Sequence, residues 1–319
     1  MKLVKAFLRL IRWPNLVFIV VTQLLFYYCI VIPLTSYTGN SNPVYVHGLY
    51  LVLLSLSSVL IAAAGYIIND YFDLNIDRVN RPEKLVVEKI IKRRSAILWH
   101  WALSFAGICI GFFLAFKQGQ WLVALANTGC VILLWFYSTS FKKKLLIGNI
   151  IISMLTAWVI LVLFVYLVSF PYLMKFGPVT IYNLNVAKLF KLAILYAGFA
   201  FIISLVREAI KDMEDREGDE KYGCKTMPIV WGIPAAKVFT AVWLIVLTGA
   251  LIVLQFYAVH LRWWWSIVYC VGAIIIPLLW ILQQLYKAQV PADYHRLSTA
   301  VKLVMLAGIL SMIFFKIYA

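Results

Sequence analysis

The chain has 319 residues, 64% of them hydrophobic and only 13% charged, with 12 Trp, 18 Tyr and 20 Phe, against roughly half and a quarter in ordinary globular proteins. Together with a mean hydropathy of +0.92, this excludes a disordered chain, a collagen-like repeat and a conventional soluble enzyme, and it leaves a polytopic membrane protein. The net charge of +16 comes from 29 Lys and Arg against 13 Asp and Glu, so the placement of those charges carries the information.

Lys2, Lys5, Arg9 and Arg12 precede an apolar run that continues to about Leu34 without an evident small-residue cleavage site, which reads as a retained first anchor rather than a signal peptide. Crossing a hydrocarbon layer of roughly 30 Å takes about 20 mainly apolar residues in a helix. Nine runs qualify, near 16–36, 47–69, 95–116, 120–139, 147–170, 188–207, 233–257, 263–286 and 298–317. They are long and apolar on every face, unlike the short alternating segments of a membrane barrel, so the expected fold class is all-α, a polytopic bundle. Trp263, Trp264 and Trp265 suit an aromatic belt at an outer boundary.

Placing the N-terminus inside puts 23 of the 29 Lys and Arg on the cytoplasmic side and six outside, in line with the positive-inside rule. Nine spans then leave the C-terminus outside. The positive charge is a topology and anionic-lipid signal, and nothing calls for a nucleic-acid partner. The five cysteines (Cys29, Cys109, Cys130, Cys224, Cys270) and four histidines (His47, His100, His260, His295) are scattered. With no CxxC and no metal-ligand spacing, they are read as structural, without chemistry.

The acids behave differently, because 12 of the 13 fall in two segments, Asp70 to Glu88 and Glu208 to Glu220, with Asp293 alone elsewhere. Asp70, Asp73 and Asp77 stand at i, i+3 and i+7, and Asp212, Asp215 and Asp219 repeat that spacing 142 residues later. On a helix each triad makes one acidic face, which Glu208 extends by a turn. The recurrence suggests two related halves, each with a carboxylate cluster at the inner end of a membrane helix.

Such clusters are unfavourable by themselves. A pair of like charges at about 6 Å repels by roughly 3 kcal/mol at an effective dielectric near 20, and a helix C-terminus favours cations. Oxygen ligands without His or Cys specify a hard cation, and sites that leave positions open for phosphate suit Mg2+ better than Ca2+. The bland alternative is a solvated ion-pair face involving Arg78, Arg81, Lys211 and Arg216; the doubled spacing argues against it. Cations that could take the remaining phosphate oxygens are Arg78, Arg81, Lys84, Lys142, Lys211, Arg216 and Lys225. The implied substrate is anionic at one end and apolar at the other.

At these residues the chain resembles the UbiA superfamily of intramembrane prenyltransferases. NDYFDLNIDRVNRP at Asn69 to Pro82 is similar to the family's first aspartate-rich motif, and KDMEDREGD at Lys211 to Asp219 to its second. RWPN ending at Asn15, Tyr137 and Ser138 with Lys142, Gly148 and Asn149, and KTMP at Lys225 to Pro228 add to the likeness. The resemblance implies one prenyltransferase domain over 1–319 surrounding a central cavity, capped on the cytoplasmic side by loops 69–94 and 207–228, with two Mg2+ and a prenyl diphosphate held between the motifs. By the same likeness Asp70, Asp73, Asp77, Asp212, Asp215 and Asp219 bind metal, with Asn69 supporting them. Arg78, Lys142 and Lys211 hold the diphosphate by that likeness, with Arg81, Arg216 and Lys225 as further candidates to bind substrate, and Asn15 and Tyr137 line the pocket.

The second motif, with Arg207 and Glu208 before it, looks most like the branch that prenylates geranylgeranylglyceryl phosphate to an ether lipid. It is also near the chlorophyll, homogentisate and menaquinone branches, and after Pro82 the chain reads Glu83 to Lys89 where many relatives read RPIPSG. A lipophilic quinone precursor or chlorophyll-type acceptor is therefore the alternative. A divalent-cation transporter is the rival of another class, but no Asp or Glu is expected inside the nine runs, where a carrier would bind its ion.

Overall fold

The computed structural model describes residues 2–36, 48–169, 183–184 and 186–318. His47 and residue 170, at the edges of two expected spans, fall outside the described residues, as does the side chain of Lys84. The described chain is helical apart from one two-residue antiparallel pair, β1 (Thr35–Ser36) with β2 (Asn183–Leu184).

An amphipathic α1 (Lys2–Leu10) precedes α2 (Trp13–Leu25), which continues through a π turn at Phe26–Val31 and a 3-10 turn at Ile32–Leu34. Then come α3 (Gly48–Phe72), a short α4 (Leu74–Asn80), α5 (Arg93–Gln118), α6 (Trp121–Thr139), α7 (Ile147–Ser169) and α8 (Val186–Glu214). The rest comprises α9 (Arg216–Lys221), α10 (Met227–Val230), α11 (Gly232–His260), α12 (Trp264–Cys270), α13 (Ile276–Lys287), α14 (Pro291–Leu310) and α15 (Met312–Tyr318). Among the described residues nine helical segments are long and apolar enough to cross a membrane, matching the nine expected runs.

Their ends differ from the expected ones. α3 runs on through Asp70, α8 runs seven residues past Arg207, and the ninth span opens at Pro291 and so includes Asp293. The expectation of carboxylate-free spans is corrected accordingly. Hydropathy marks where the apolar run ends, whereas the backbone keeps its i→i−4 hydrogen bonds until a residue breaks them. The expected cap loops 69–94 and 207–228 are for the same reason partly helical: only a bend at Asp73 separates α3 from α4, and one at Asp215 separates α8 from α9.

The chain divides into two compact units, 1–141 with 158–194, and 142–157 with 195–319. In the first, helices approach closely at small residues, as they do where lipid supplies no hydrophobic drive between helices. A Cβ on Gly65 would come within 2.9 Å of Leu134, and one on Gly107 within 2.8 Å of Ile61. Ser57 Oγ donates to the Gly107 carbonyl at 2.8 Å and accepts from Asn127 Nδ2 at 2.9 Å. Beneath the first aspartate segment, Ala6, Leu10, Ile67, Leu74, Val86, Val87 and Ile91 form a buried apolar cluster that ties α1, α3 and α4 to the stretch before α5.

The second unit has a core of Ile203, Val206, Ile210, Leu244, Leu278, Ile281, Leu297 and Val301, among others. Gly308 lies against the Phe199 ring so closely that a Cβ there would collide with it. The cysteines are all free thiols, Cys109 exposed, Cys130 half-buried and the other three buried. Trp263 stacks on Tyr318 with ring centroids 5.2 Å apart.

Candidate active site

In the first unit, the side chains of Asp70, Asp73 and Asp77 are positioned by a helix that bends without losing its ladder. Asp73 N–H donates to the Asn69 carbonyl at 2.9 Å and Asp77 N–H to the Asp73 carbonyl at 2.8 Å, so the acidic face runs through the bend. Asp73 is buried, and Asn69 Nδ2 donates to its Oδ2 at 2.7 Å. Asn69 Oδ1 is buried with no hydrogen-bond partner among the described residues.

Asp70 receives a hydrogen bond from Arg12 Nη2 at 2.7 Å. Arg12 sits between α1 and α2 in the left-handed region (φ 51°, ψ 51°), a conformation that costs a non-glycine residue of order 1 kcal/mol. Its guanidinium also lies over the Tyr66 ring, 5.0 Å from the centroid. Burial works against the charge, but Asp70, Tyr66 and Asp77 together outweigh it and raise the guanidinium above its usual range.

The second unit repeats this local architecture. Asp215 N–H donates to the Lys211 carbonyl at 2.8 Å and Asp219 N–H to the Asp215 carbonyl at 3.2 Å. Asp73 (φ −82°, ψ −2°) and Asp215 (φ −91°, ψ 5°), the middle aspartates, cap their short following helices with nearly the same dihedrals. Asp212 accepts from Asn149 Nδ2 at 2.8 Å, and Asp219 is buried. Its carbonyl accepts from Cys224 N–H at 2.9 Å beside a left-handed Gly223 (φ 72°), which turns the chain toward Lys225. Ile210 and Met213 of α8 are buried on the side away from the aspartates, and Met227 of α10 is buried as well.

The sequence-derived cations are placed less uniformly. Arg78 pairs with Glu88 at 2.7 Å in an exposed position, and Arg216 lies 3.6 Å from Glu220, also exposed. Lys211 pairs with Glu208 at 3.1 Å. Arg81 closes α4 with its N–H on the Asp77 carbonyl at 2.8 Å, and Lys225 N–H donates to the Lys143 carbonyl at 2.8 Å. Lys142 lies in the 3-10 turn Phe141–Lys143, Tyr137 in the last turns of α6, and Asn15 in the first turn of α2 with its N–H on the Arg12 carbonyl at 2.8 Å.

Two partners of the aspartates are not marked by sequence spacing: Arg12, which opens the RWPN stretch and reads as N-terminal charge, and Asn149, which follows Gly148. Among the histidines, His295 Nδ1 lies 2.9 Å from Glu214, and His100 Nδ1 lies 3.0 Å from the Ala64 carbonyl.

Among the described residues no three His, Cys, Asp or Glu side chains converge closely enough to enclose an ion by themselves. The donor set nevertheless fits a hard cation. It is oxygen-only, and the buried Asn69 Oδ1 without a donor lies on the residue that holds Asp73. An incomplete protein shell also suits Mg2+, which keeps water and phosphate oxygens in its coordination sphere.

Residues 15–307 match the model of the UbiA prenyltransferase family. The chain is 29% identical over 263 residues, 82% of its length and 86% of the relative's, to the digeranylgeranylglyceryl phosphate synthase of Methanosphaera stadtmanae. To the enzyme of that name from Methanothermobacter thermautotrophicus it is 32% identical over 194 residues, 60% of each chain. Among solved structures, one described as digeranylgeranylglyceryl phosphate synthase in membranes is similar at TM-score 0.58 and 24% identity, covering 98% of this chain and 99% of that one. A UbiA homologue from Archaeoglobus fulgidus bound to GPP and Mg2+ is similar at TM-score 0.57 and 18% identity, covering 96% and 99%.

Proposed function

The chain belongs to the UbiA prenyltransferase family, and from that premise we propose that this integral, multi-pass prenyltransferase moves a polyprenyl group from its diphosphate to the glycerol hydroxyl of geranylgeranylglyceryl phosphate, forming an ether lipid. The observation that carries the reading is the doubled aspartate triad, whose middle members Asp73 and Asp215 share one backbone geometry.

In this reading Asp70, Asp73, Asp77, Asp212, Asp215 and Asp219 hold two Mg2+, and Asn69 Oδ1 supplies a further oxygen. Mg2+ held there would supply positive charge against the departing diphosphate. Arg78, Arg81, Lys142, Lys211, Arg216 and Lys225 take the phosphate oxygens that remain and hold the leaving group toward the cytoplasm. Arg12 keeps Asp70 oriented, and Asn149 does the same for Asp212. Asn15 and Tyr137 line the pocket, and apolar side chains exclude water that would otherwise capture the allylic cation. As the allylic C–O bond to the diphosphate breaks, the acceptor hydroxyl oxygen bonds to the allylic carbon and its proton passes to the released diphosphate. In this reading the N-terminus and the site face the cytoplasm, which the bias of Lys and Arg supports.

A carrier would want ionisable groups near the middle of its spans, whereas Asp70, Glu208, Asp212, Glu214 and Asp293 all lie within two turns of a spanning helix's end. Purified protein in detergent, given labelled geranylgeranyl diphosphate, should label the glyceryl phosphate acceptor only with Mg2+ present. Full transfer in excess chelator, or transfer to quinone precursors alone, overturns the proposal in its metal or its acceptor respectively.

A further inference from the structure

We propose that Arg207 binds the phosphate of the acceptor, and that Glu208 positions it beside the diphosphate-binding Lys211. This rests on the reading of the acceptor as a phosphorylated lipid. Arg207 lies in α8, about 10 Å of helix before its end at Glu214, directly after the apolar stretch Leu192 to Val206. An ionisable residue at that depth is costly unless a partner fixes it.

Its partner among the described residues is an unusual one. Arg207 Nη1 donates to Glu208 Oε1 at 3.0 Å, the carboxylate of its own chain neighbour. Successive residues on a helix point about 100° apart and do not face each other, so the long side chain must reach sideways, and it engages by one nitrogen only. Arg207 Nε is buried and has no hydrogen-bond partner among the described residues. Leaving a buried donor unmade costs about 1–3 kcal/mol, and the rigid guanidinium fork matches a phosphate that takes two of its N–H groups at once.

Glu208 does not saturate Arg207 because it is shared. The same carboxylate receives Lys211 Nζ at 3.1 Å on Oε2 and 3.4 Å on Oε1. One buried acid thus holds two cations side by side, one aligned with the aspartates and the other a turn earlier in the helix. Those two positions correspond to the two anions that the reaction must hold. The attacking hydroxyl and the phosphate sit on adjacent carbons of a glyceryl phosphate, while the attacked carbon is bonded to the diphosphate. The acceptor phosphate therefore has to lie near the diphosphate yet be held apart from it, which calls for a cation next to the aspartate triad rather than within it.

The test uses Arg207→Lys, which keeps the charge and loses the fork, and Arg207→Gln, which loses both. Initial rates are measured against geranylgeranyl diphosphate, geranylgeranylglyceryl phosphate and its dephosphorylated glycerol ether. KM for the phosphorylated acceptor should rise about 10-fold in Arg207→Lys and about 100-fold in Arg207→Gln, as expected for charge-assisted hydrogen bonds. KM for the diphosphate and rates with the dephosphorylated acceptor should be unchanged. Equal losses on both acceptors, or a rise confined to the diphosphate, overturn the assignment. Direct binding of the phosphorylated lipid to the full chain without Mg2+ or diphosphate separates the two readings. Arg207-dependent binding without turnover keeps the phosphate site and removes the activity, and turnover indifferent to Arg207 does the reverse.

Discussion

Arg12 and Asp70, 58 residues apart, are joined by a hydrogen bond of 2.7 Å from Nη2 to Oδ1. The bond ties the break between α1 and α2 to the first acidic face and supplies a fixed positive charge to a triad that otherwise repels itself. The left-handed backbone at Arg12 (φ 51°) is the cost of aiming the side chain there.

Arg12→Gly separates the two effects, because glycine takes the left-handed conformation without strain and removes only the guanidinium. Turnover should fall about 10-fold or more, the usual range for losing a charged hydrogen bond to an active group, while the melting temperature in detergent changes little. Wild-type turnover in Arg12→Gly would show that Asp70 needs no orienting partner.

Asp73→Ala and Asp215→Ala remove the middle carboxylate of each triad. Each should lower kcat by at least about 100-fold, as loss of a group stabilising transition-state charge does. Helix content by circular dichroism should be retained, since the backbone ladder through both positions does not use the side chains. Activity in either variant within a few-fold of wild type would remove that triad from the chemistry.

Asn149 Nδ2 donates to Asp212 Oδ2 at 2.8 Å. Asn149→Leu leaves the carboxylate without its orienting donor. Activity should drop about 10-fold, with a higher Mg2+ concentration needed for half-maximal rate, as when a group supporting a metal ligand is lost. An unchanged Mg2+ titration curve would leave Asn149 a purely structural role.

Gly308→Ala places a methyl group against the Phe199 ring. Overpacking of this kind costs about 1–3 kcal/mol, so the variant should melt several degrees lower. The double variant Gly308→Ala with Phe199→Leu should recover part of the loss, and thermal unfolding followed by tryptophan fluorescence checks both.

The sequence alone determined the solvent, the helix count and both aspartate triads, because hydropathy over about 20 residues and i, i+3, i+7 spacing are properties of the chain itself. It could not show that the acidic segments are helical up to and beyond Asp73 and Asp215, because hydropathy falls at those points while the backbone ladder continues. Nor could spacing find the partners of the triads. Arg12 meets Asp70 across 58 residues and Asn149 meets Asp212 across 63, and only the packing of one helix against another brings such groups together. The same holds for the cations. Net charge placed them near the acids, but whether an arginine gives one donor to a nearby carboxylate, as Arg78 Nη2 does to Glu88, or keeps a buried one unused, as Arg207 does, is decided by side-chain geometry in the folded chain.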